Sequence, residues 1–431
     1  MSGSLRRIVG CRIALAIAIA VASAPAARAD DFLPVTPRTM AMGGAYTALS
    51  DEPTGLYFNP AGLAQLEGSV AELAFAFSFP ALDAGPSGQS TRRLSEPGDQ
   101  GYGLHLAWSP EQLLAGDLSL GFSVMLPHRR AVSFLIHAID DPYFVQYENS
   151  TELLELRLGA AYKFFDLFSL GFSMLLLAGL DGDVAIVAPF QSGETDPNRR
   201  TEVSLDAILP ERGFFTAGLQ VYPLEGLTLG LCFREATFVR VRLPIDFTPE
   251  IFELNLATLA TLDVKVKYAP AALAFGAAYR FNPEWLVALD LTWARTSEYE
   301  VPYGSVDLDV SNLGDGITLL PPLRPNADLR DTLTPRIGAE WAPLDGLLVR
   351  AGYAYIPTFV KSIDQPVLDS DKHSFTAGAS YRIDRLVMGE TSVRWTLSTA
   401  GQLLWYTPRT TSGFDHAGAV FGLTAGTQVA Y

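Results

Sequence analysis

The chain of 431 residues combines 48% hydrophobic with only 18% charged residues, and its formal net charge is −16. A chain this acidic is not expected to bind nucleic acid, because binding phosphate requires concentrated positive charge. It contains two cysteines, Cys11 and Cys232, and the first lies in a segment that we expect to be removed, so a disulfide-rich fold is excluded.

Residues 1–29 have the pattern of a cleavable signal peptide. Arginines at 6, 7 and 12 flank the start of an apolar run over 13–22, and Ala27-Arg28-Ala29 offers the small residues of a cleavage site. The run of about ten residues is too short to span a bilayer as a helix, which requires about twenty. We therefore expect the mature protein to be exported.

From residue 69 onward the chain shows about fourteen segments in which apolar and polar side chains alternate. Residues 118–124 read LSLGFSV, for example, and residues 285–293 read WLVALDLTW. This period of two is typical of strands with one apolar face. Apart from helices, a closed barrel is the only structure that satisfies every backbone polar group within a bilayer. Residues 69–431 are therefore predicted to form an all-β, transmembrane antiparallel β-barrel.

The connectors between these segments alternate in length. Short ones at 164–166, 223–226, 282–284 and 342–346 alternate with long ones at 80–99, 127–151, 179–212, 235–269, 298–332 and 358–372. Bacterial barrels have short periplasmic turns and long outer loops, whereas a soluble β-sandwich has no reason to sort its loops in this way. Both termini are therefore predicted to lie on the periplasmic side of the outer membrane of a Gram-negative type bacterium.

The environment of such a barrel supplies its expected partners. Aromatic residues at many segment ends fit the two interfacial girdles. The final residue, Tyr431, has the lipid-facing parity and is expected to contribute to recognition by the barrel assembly machinery. Outer-membrane lipid, lipopolysaccharide and a hydrophobic small-molecule ligand are the other expected partners, and we expect a monomer.

Residues 30–68 precede the first strand and do not alternate. Within them, residues 38–66 read RTMAMGGAYTALSDEPTGLYFNPAGLAQL, which is rich in small and apolar residues. A segment this apolar would aggregate if it lay free in the periplasm. The interior of a barrel of about fourteen strands is wide enough to hold it or a channel. We predict that residues 30–68 fold back into the lumen as a plug.

The same segment resembles the N-terminal hatch of the FadL/OmpP1/TodX family of outer-membrane transporters. The resemblance rests on Gly43, Gly44, Asn59, Pro60 and Ala61, and it extends to residues 270–382, where PRIGAEWAPLDGLLVRAGYAYIPT is similar to the family's late hairpins. It implies a fourteen-stranded barrel closed by the hatch. It also implies a passive transporter of long-chain fatty acids or aromatic hydrocarbons, which are captured by outer loops, bound against the hatch and released laterally through the wall. Tyr57 and Phe58 beside the motif are candidate ligand contacts.

A second function stays open. Related plugged barrels, including assembly factors of a bacterial secretion system, also carry Gly-Gly-Ala followed by Asn-Pro-Ala. The alternative is therefore a plugged barrel that acts as a scaffold for secretion or surface assembly without transport. Apolar outer loops favour transport. Co-purification with an envelope protein and no ligand uptake would favour the scaffold.

Charged side chains on the luminal parity allow two interpretations. They form either a ladder of ion pairs that satisfies itself or, in part, a site for a carboxylate head group, which arginine binds with a bidentate fork. The candidates for the second role are Arg157, Arg350 and Arg382. The members of this luminal set are Glu155, Arg157, Lys163, Arg234, Arg280, Asp290, Glu340, Arg350, Arg382 and Arg394.

The outer connector over 248–262 has two open interpretations. Its apolar residues, Ile251 and Leu254 among them, have roughly helical spacing and would form a capture groove. Alternatively, the flanking strands simply extend above the membrane.

The remaining polar residues are not expected to bind a metal or to catalyse a reaction. Asp369, Asp371 and His373, like Asp181 and Asp183, are expected to be solvated rather than to bind a metal. His105 has luminal parity and could pair with a serine as an outer-membrane lipase requires, but no GxSxG pattern accompanies it. No enzyme activity and no cofactor are expected.

Overall fold

The computed structural model describes the backbone of residues 36–66, 68–93, 100–109, 117–127, 132–133, 143–144, 152–177, 181–189, 200–208, 212–247, 250–251, 254–255, 258–299, 305–308, 326–363, 367–388 and 391–431. The predicted signal peptide, residues 30–35 and residue 67 lie outside this part of the chain.

One closed antiparallel sheet of fourteen strands forms the barrel. Each strand pairs with its neighbours in chain order, and the first pairs with both the second and the last, which closes the sheet. The strands are β1 (Ser69–Pro86), β2 (Gln100–Trp108), β3 (Leu118–Pro127), β4 (Glu155–Phe164), β5 (Phe168–Leu177), β6 (Arg212–Leu224), β7 (Leu227–Arg234), β8 (Ala272–Arg280), β9 (Trp285–Ala294), β10 (Thr332–Leu344), β11 (Leu347–Ile356), β12 (Lys372–Met388), β13 (Thr391–Thr411) and β14 (Phe414–Ala430). The predicted all-β barrel is confirmed.

Alternation along each strand separates an exposed face from a buried one. On β9, Leu289, Leu291 and Trp293 are 39–52% exposed. Their neighbours Ala288 and Asp290 are only 1% and 6% exposed. Because a continuous face of exposed large apolar side chains is expected where a barrel meets lipid, the first set marks the lipid-facing wall and the second the lumen.

The connections follow the predicted parity. Turns of two to four residues, at the barrel end that is predicted to be periplasmic, join β4–β5, β6–β7, β8–β9 and β10–β11. Long connections, at the end that is predicted to be outer, join β3–β4, β5–β6, β7–β8 and β9–β10. Gly226 and Gly346 occupy equivalent turns with φ of +79°, a backbone conformation that other residues rarely adopt.

The outer connections carry additional strands. These are Arg92–Arg93, Val132–Ser133, Tyr143–Phe144, Glu152–Leu153, Asp181–Pro189, Arg200–Ile208, Thr237–Phe247, Glu250–Ile251, Leu254–Asn255, Thr258–Ala269, Ser305–Leu308, Ala327–Leu329, Val360–Ile363 and Val367–Leu368, with a 3₁₀ turn at Thr296–Glu298. Of the two interpretations of 248–262, the helical one is wrong, because the described backbone at 250–251, 254–255 and 258–262 is extended, as the alternative of longer flanking strands predicts. Thr258–Ala269 pairs with Thr237–Phe247, and this long antiparallel ladder outweighs the local helical spacing.

Residues 36–66, which we call the inner segment, lie within the barrel. They form the helices α1 (Pro37–Ala41) and α2 (Gly55–Phe58) and a 3₁₀ helix over Pro60–Gln65, joined by turns. The segment contacts luminal residues of strands on every side, from β3 through β14. None of the described helices has the length and apolar character needed to cross a membrane.

Glycines in the wall let the inner segment approach the strands closely. A Cβ added at Gly171 would collide with the backbone of Pro60 and Ala61, and one at Gly352 would collide with Met42 and Gly43. The other wall glycines of this kind are Gly218, Gly230, Gly276 and Gly338. Backbone of the inner segment therefore packs directly on backbone of the wall at most of these glycines, and at Gly218 the Asn59 and Pro60 side chains make the close approach.

A single added methyl group tests this packing. Gly171→Ala is expected to destabilise the barrel by about 1–3 kcal/mol, because Pro60 and Ala61 cannot retreat from the added carbon. The measurement is the temperature at which the folded barrel loses its compact migration in detergent gels. Gly401→Ala is the matched control, since the nearest atom to its Cβ is Gly422 O at 3.8 Å. Equal unfolding temperatures for the two variants would contradict the close packing.

Candidate functional site

Side chains of the wall satisfy the backbone of the inner segment. The carboxylate of Asp290 on β9 accepts hydrogen bonds from the backbone N–H groups of Tyr46 and Thr47, at 2.9 and 2.8 Å. On β5, Ser173 Oγ donates to Leu56 O at 2.6 Å, and Ser169 Oγ donates to Ala61 O at 2.9 Å. Polar luminal side chains thus supply hydrogen bonds that a regular helix or strand would otherwise provide to the backbone of the segment.

The Asn-Pro-Ala motif forms one of these attachment points. Asn59 is fully buried, and its Nδ2 donates to Thr47 O at 2.9 Å and to Leu219 O on β6 at 3.2 Å. Its Oδ1 accepts from the N–H of Ala61 at 3.1 Å and so caps the 3₁₀ helix that begins at Pro60. One side chain therefore fixes two parts of the inner segment and joins both to the wall.

Gly43 and Gly44 form a turn on the opposite side of the segment. Their φ values are +64° and +73°, and their Cα atoms face Gly352 on β11 and the Arg336 side chain on β10, respectively. A side chain at either position would meet both a strained backbone and a filled space. The structure places all five motif residues in the lumen, while their action as a hatch stays a prediction.

A buried network of charges surrounds Arg38. Its guanidinium lies 2.7 Å from Asp51 Oδ1, 3.0 Å from Glu52 Oε1 and, through Nε, 3.3 Å from Glu340 Oε2. Burial alone would lower the pKa of Arg38, but the surrounding carboxylates outweigh it and raise that pKa well above its ordinary value. Burial raises the pKa of the Tyr46 phenol, which therefore keeps its proton and donates to Glu52 at 2.9 Å.

Arg350 belongs to this network. Its Nε donates to Glu340 Oε2 at 2.7 Å, and its Nη1 donates to Ser380 on β12. Of the two interpretations of the luminal charges, the ion pair within the protein therefore describes Arg350 better than the contact with a ligand. The sequence did not single out Arg38, Asp51 or Glu52, because nothing in a non-alternating segment indicates which wall residue each will meet.

A second cluster, which we call the Tyr57 site, consists of Tyr57, Phe58, Arg157, Arg234 and Glu155. The rings of Tyr57 and Phe58 meet edge to face at 5.1 Å. The guanidinium carbons of Arg157 on β4 and Arg234 on β7 lie 4.6 and 4.8 Å from the Tyr57 centroid, within the range of cation–π interaction. Glu155 Oε2 lies 3.5 Å from Arg157 Nη2.

The structure thus brings together three of the residues predicted as ligand contacts, namely Tyr57, Phe58 and Arg157. It adds Arg234, which the sequence placed on the luminal parity without selecting it. Aromatic faces beside two guanidinium groups can hold an apolar molecule and an anionic end of it at once.

Other predicted contacts lie elsewhere. Arg382 lies beside the periplasmic turn at Gly346, its side chain is 42% exposed, and its Nε donates to Asp384 Oδ2 at 3.3 Å. It is therefore separated from the Tyr57 site. The side chains of Ile251 and Leu254 lie outside the described residues.

The remaining polar candidates form pairs. His105 Nδ1 and Ser123 Oγ are hydrogen-bonded at 2.7 Å on the luminal face. Asp369 was expected to be solvated but is fully buried against Lys372, with Oδ1 2.9 Å from Nζ. Across the described ranges, no group of three or more His, Cys, Asp and Glu side chains is arranged to hold a metal ion.

Three solved structures share this fold. A FadL homologue of Pseudomonas aeruginosa is 14% identical over 92% of this chain and 98% of its own, with a TM-score of 0.57. The toluene transporter TodX of P. putida is 17% identical over 91% and 97%, with a TM-score of 0.59. The CymD monoaromatic hydrocarbon channel is 18% identical over 92% and 97%, with a TM-score of 0.53.

Sequence comparison gives a consistent assignment. No curated protein matches the chain. The family described as "Outer membrane protein transport protein (OMPP1/FadL/TodX)" matches residues 15–393. This is a family of transport channels of the Gram-negative outer membrane rather than of enzymes, in agreement with the expected localisation and absence of catalysis. The chain therefore belongs to the OmpP1/FadL/TodX family of outer-membrane transport proteins.

Proposed function

We propose that this protein carries hydrophobic small molecules passively across the outer membrane, with the inner segment as its hatch and the Tyr57 site as a ligand-binding site. The observation that carries the proposal is the pair of guanidinium groups placed over a buried aromatic ring of the inner segment itself. A ligand bound there touches the hatch and the wall at the same time, so its binding energy can shift the position of the hatch.

The family and the fold support the following proposed route. Outer loops capture the molecule, it moves to the Tyr57 site, and it leaves laterally through the wall once the hatch has shifted. The driving force is binding and diffusion down a concentration gradient. The outer membrane holds no nucleotide, so no energy-coupled step is required.

The arginines favour a cargo with a carboxylate. A guanidinium offers a planar fork that matches a carboxylate, and the Tyr57 site presents two of them beside aromatic rings, with Glu155 3.5 Å from Arg157 as the group a cargo carboxylate would replace. A long-chain fatty acid therefore fits the site. The named substrates of the similar channels, toluene and monoaromatic hydrocarbons, are neutral and would use the aromatic faces alone.

Binding of oleate and of toluene to paired arginine variants separates these cargoes. Arg157→Gln and Arg234→Gln are each expected to weaken oleate binding about tenfold, the loss of one hydrogen bond to a charged group, and to leave toluene binding nearly unchanged. Isothermal titration of the detergent-solubilised barrel measures both affinities. Arg382→Gln, at the periplasmic rim, is the matched control and should change neither.

Two outcomes would alter the proposal. If the parent protein binds toluene but not oleate, the proposed preference for a carboxylate cargo is wrong, while the proposed transport of hydrophobic molecules stands. Failure to bind either molecule, together with stable co-purification of another envelope protein, would instead favour the secretion or surface-assembly scaffold.

The hatch is tested by removing the Asn59 attachment. Asn59→Ala leaves two buried carbonyl groups and one N–H without this partner, which costs about 1–3 kcal/mol for each group that stays unsatisfied. We expect the inner segment to become accessible to added protease, followed by mass spectrometry, while the barrel strands stay protected.

Asn282→Ala provides the matched control. Asn282 Oδ1 also accepts two backbone hydrogen bonds, from Glu284 and Trp285, but at an exposed periplasmic turn. This variant should leave the inner segment protected. Equal protection of the inner segment in both variants would argue against Asn59 as its anchor.

A further inference from the structure

Three neighbouring strands carry a cluster of rings on the lipid-facing side of the barrel. We call it the aromatic patch: Tyr353 and Tyr355 on β11, His373 and Phe375 on β12, and Trp405 on β13. All have the odd-numbered parity opposite to the luminal residues of these strands, such as Arg350, Thr376 and Leu404, which are buried. Phe375 and Trp405 are 49% and 43% exposed.

The patch lies at the outer membrane interface. β11 ends and β12 begins at a long outer connection, and the patch occupies those strand ends. On β13, Trp405 follows Trp395 by ten residues on the same face. At about 3.3 Å per residue and a tilt of about 40°, the two rings are separated by about 25 Å along the membrane normal, the height of the apolar band.

The rings touch one another around a histidine. His373 lies 5.4 Å from the centroids of both Tyr355 and Trp405, and its Nδ1 is 2.8 Å from the Tyr353 hydroxyl. Phe375 continues the surface, with its centroid 5.3 Å from that of Tyr353. These contacts join the five rings into one broad surface.

A cation is fixed at the outer border of this surface. The Tyr355 hydroxyl donates to Asp371 Oδ2 at 2.8 Å, and Arg330 Nη2 lies 4.0 Å from Asp371 Oδ1. Arg330 Nε donates to Thr358 O at 2.9 Å, which holds the guanidinium in place, yet the side chain is still 45% exposed. A guanidinium that is held in place and remains exposed can bind a phosphate.

We propose that the aromatic patch and Arg330 form a binding site for the phosphorylated sugar headgroup of lipopolysaccharide in the outer leaflet. The C–H face of a sugar ring lies flat on Trp405 and Phe375, the imidazole and phenol groups hydrogen-bond to its hydroxyls, and a phosphate meets the guanidinium. The charges of Arg330 and the phosphate are complementary. A phospholipid with a small headgroup would contact the cation but could not cover the rings.

Native mass spectrometry with purified bisphosphorylated lipid A tests the proposal on the full-length folded protein. We expect the protein to retain lipid A in preference to the anionic phospholipid phosphatidylglycerol. Trp405→Leu should lower lipid A retention roughly three- to tenfold, the effect of losing one aromatic contact. Trp405→Phe should retain most of it. Arg330→Gln should lower binding of lipid A more than binding of dephosphorylated lipid A.

Matched controls lie on other parts of the outer rim. Trp293→Leu removes a lipid-facing tryptophan that is 40% exposed, and Arg295→Gln removes an arginine whose side chain is 53% exposed. Both should retain lipid A as the parent protein does. Heat-dependent gel migration confirms that each variant is folded.

Two results would overturn the proposal. One is equal retention of lipid A and phosphatidylglycerol by the parent protein, which would make the patch an ordinary interfacial girdle. The other is an equal effect of Trp405→Leu and Trp293→Leu, both folded. Neither result bears on transport, so the two proposals fail separately.

Discussion

Every peptide group of a segment held inside a membrane barrel must find a hydrogen-bond partner there, and this requirement organises the structure. The inner segment contains only short helices and turns, so its own backbone cannot provide a hydrogen-bond partner for every peptide group. The wall supplies partners, through Asp290 to two N–H groups and through Ser169 and Ser173 to two carbonyls. Asn59 does the same from within the segment. The luminal side chains are therefore polar where they bond to the inner segment, and the wall has glycine where the segment lies closest to it.

The two faces of each strand consequently have different functions. Lipid-facing positions provide the apolar band and the aromatic patch, while luminal positions attach the inner segment and build the Tyr57 site. Arginines take different roles according to their partners. Arg350 pairs with Glu340 at 2.7 Å, whereas Arg157 pairs more loosely with Glu155 at 3.5 Å and also covers a ring that belongs to the inner segment. Position on the luminal parity alone does not distinguish these roles.

Much of the architecture could be predicted from the sequence, because it depends on local patterns. A period of two predicted the strands, and the alternation of short and long connectors predicted their direction. Long-range pairing could not be predicted in this way. The meeting of Arg38 with Glu340, or of Tyr57 with Arg234, depends on the path of a segment that has no period. At 248–262 the sequence left a helix and extended flanking strands equally open, since the helical spacing there is local and the competing strand ladder depends on long-range pairing.

The central claim is that the inner segment closes the lumen, and ion conductance measures this most directly. If the segment closes the lumen, planar bilayers containing the full-length barrel show almost no conductance, because residues 36–66 occupy the interior. The same barrel lacking residues 38–66 should show large, stable channels, since fourteen strands enclose a wide interior once the segment is absent. Equal conductance of the two proteins, whether both open or both closed, would contradict the account.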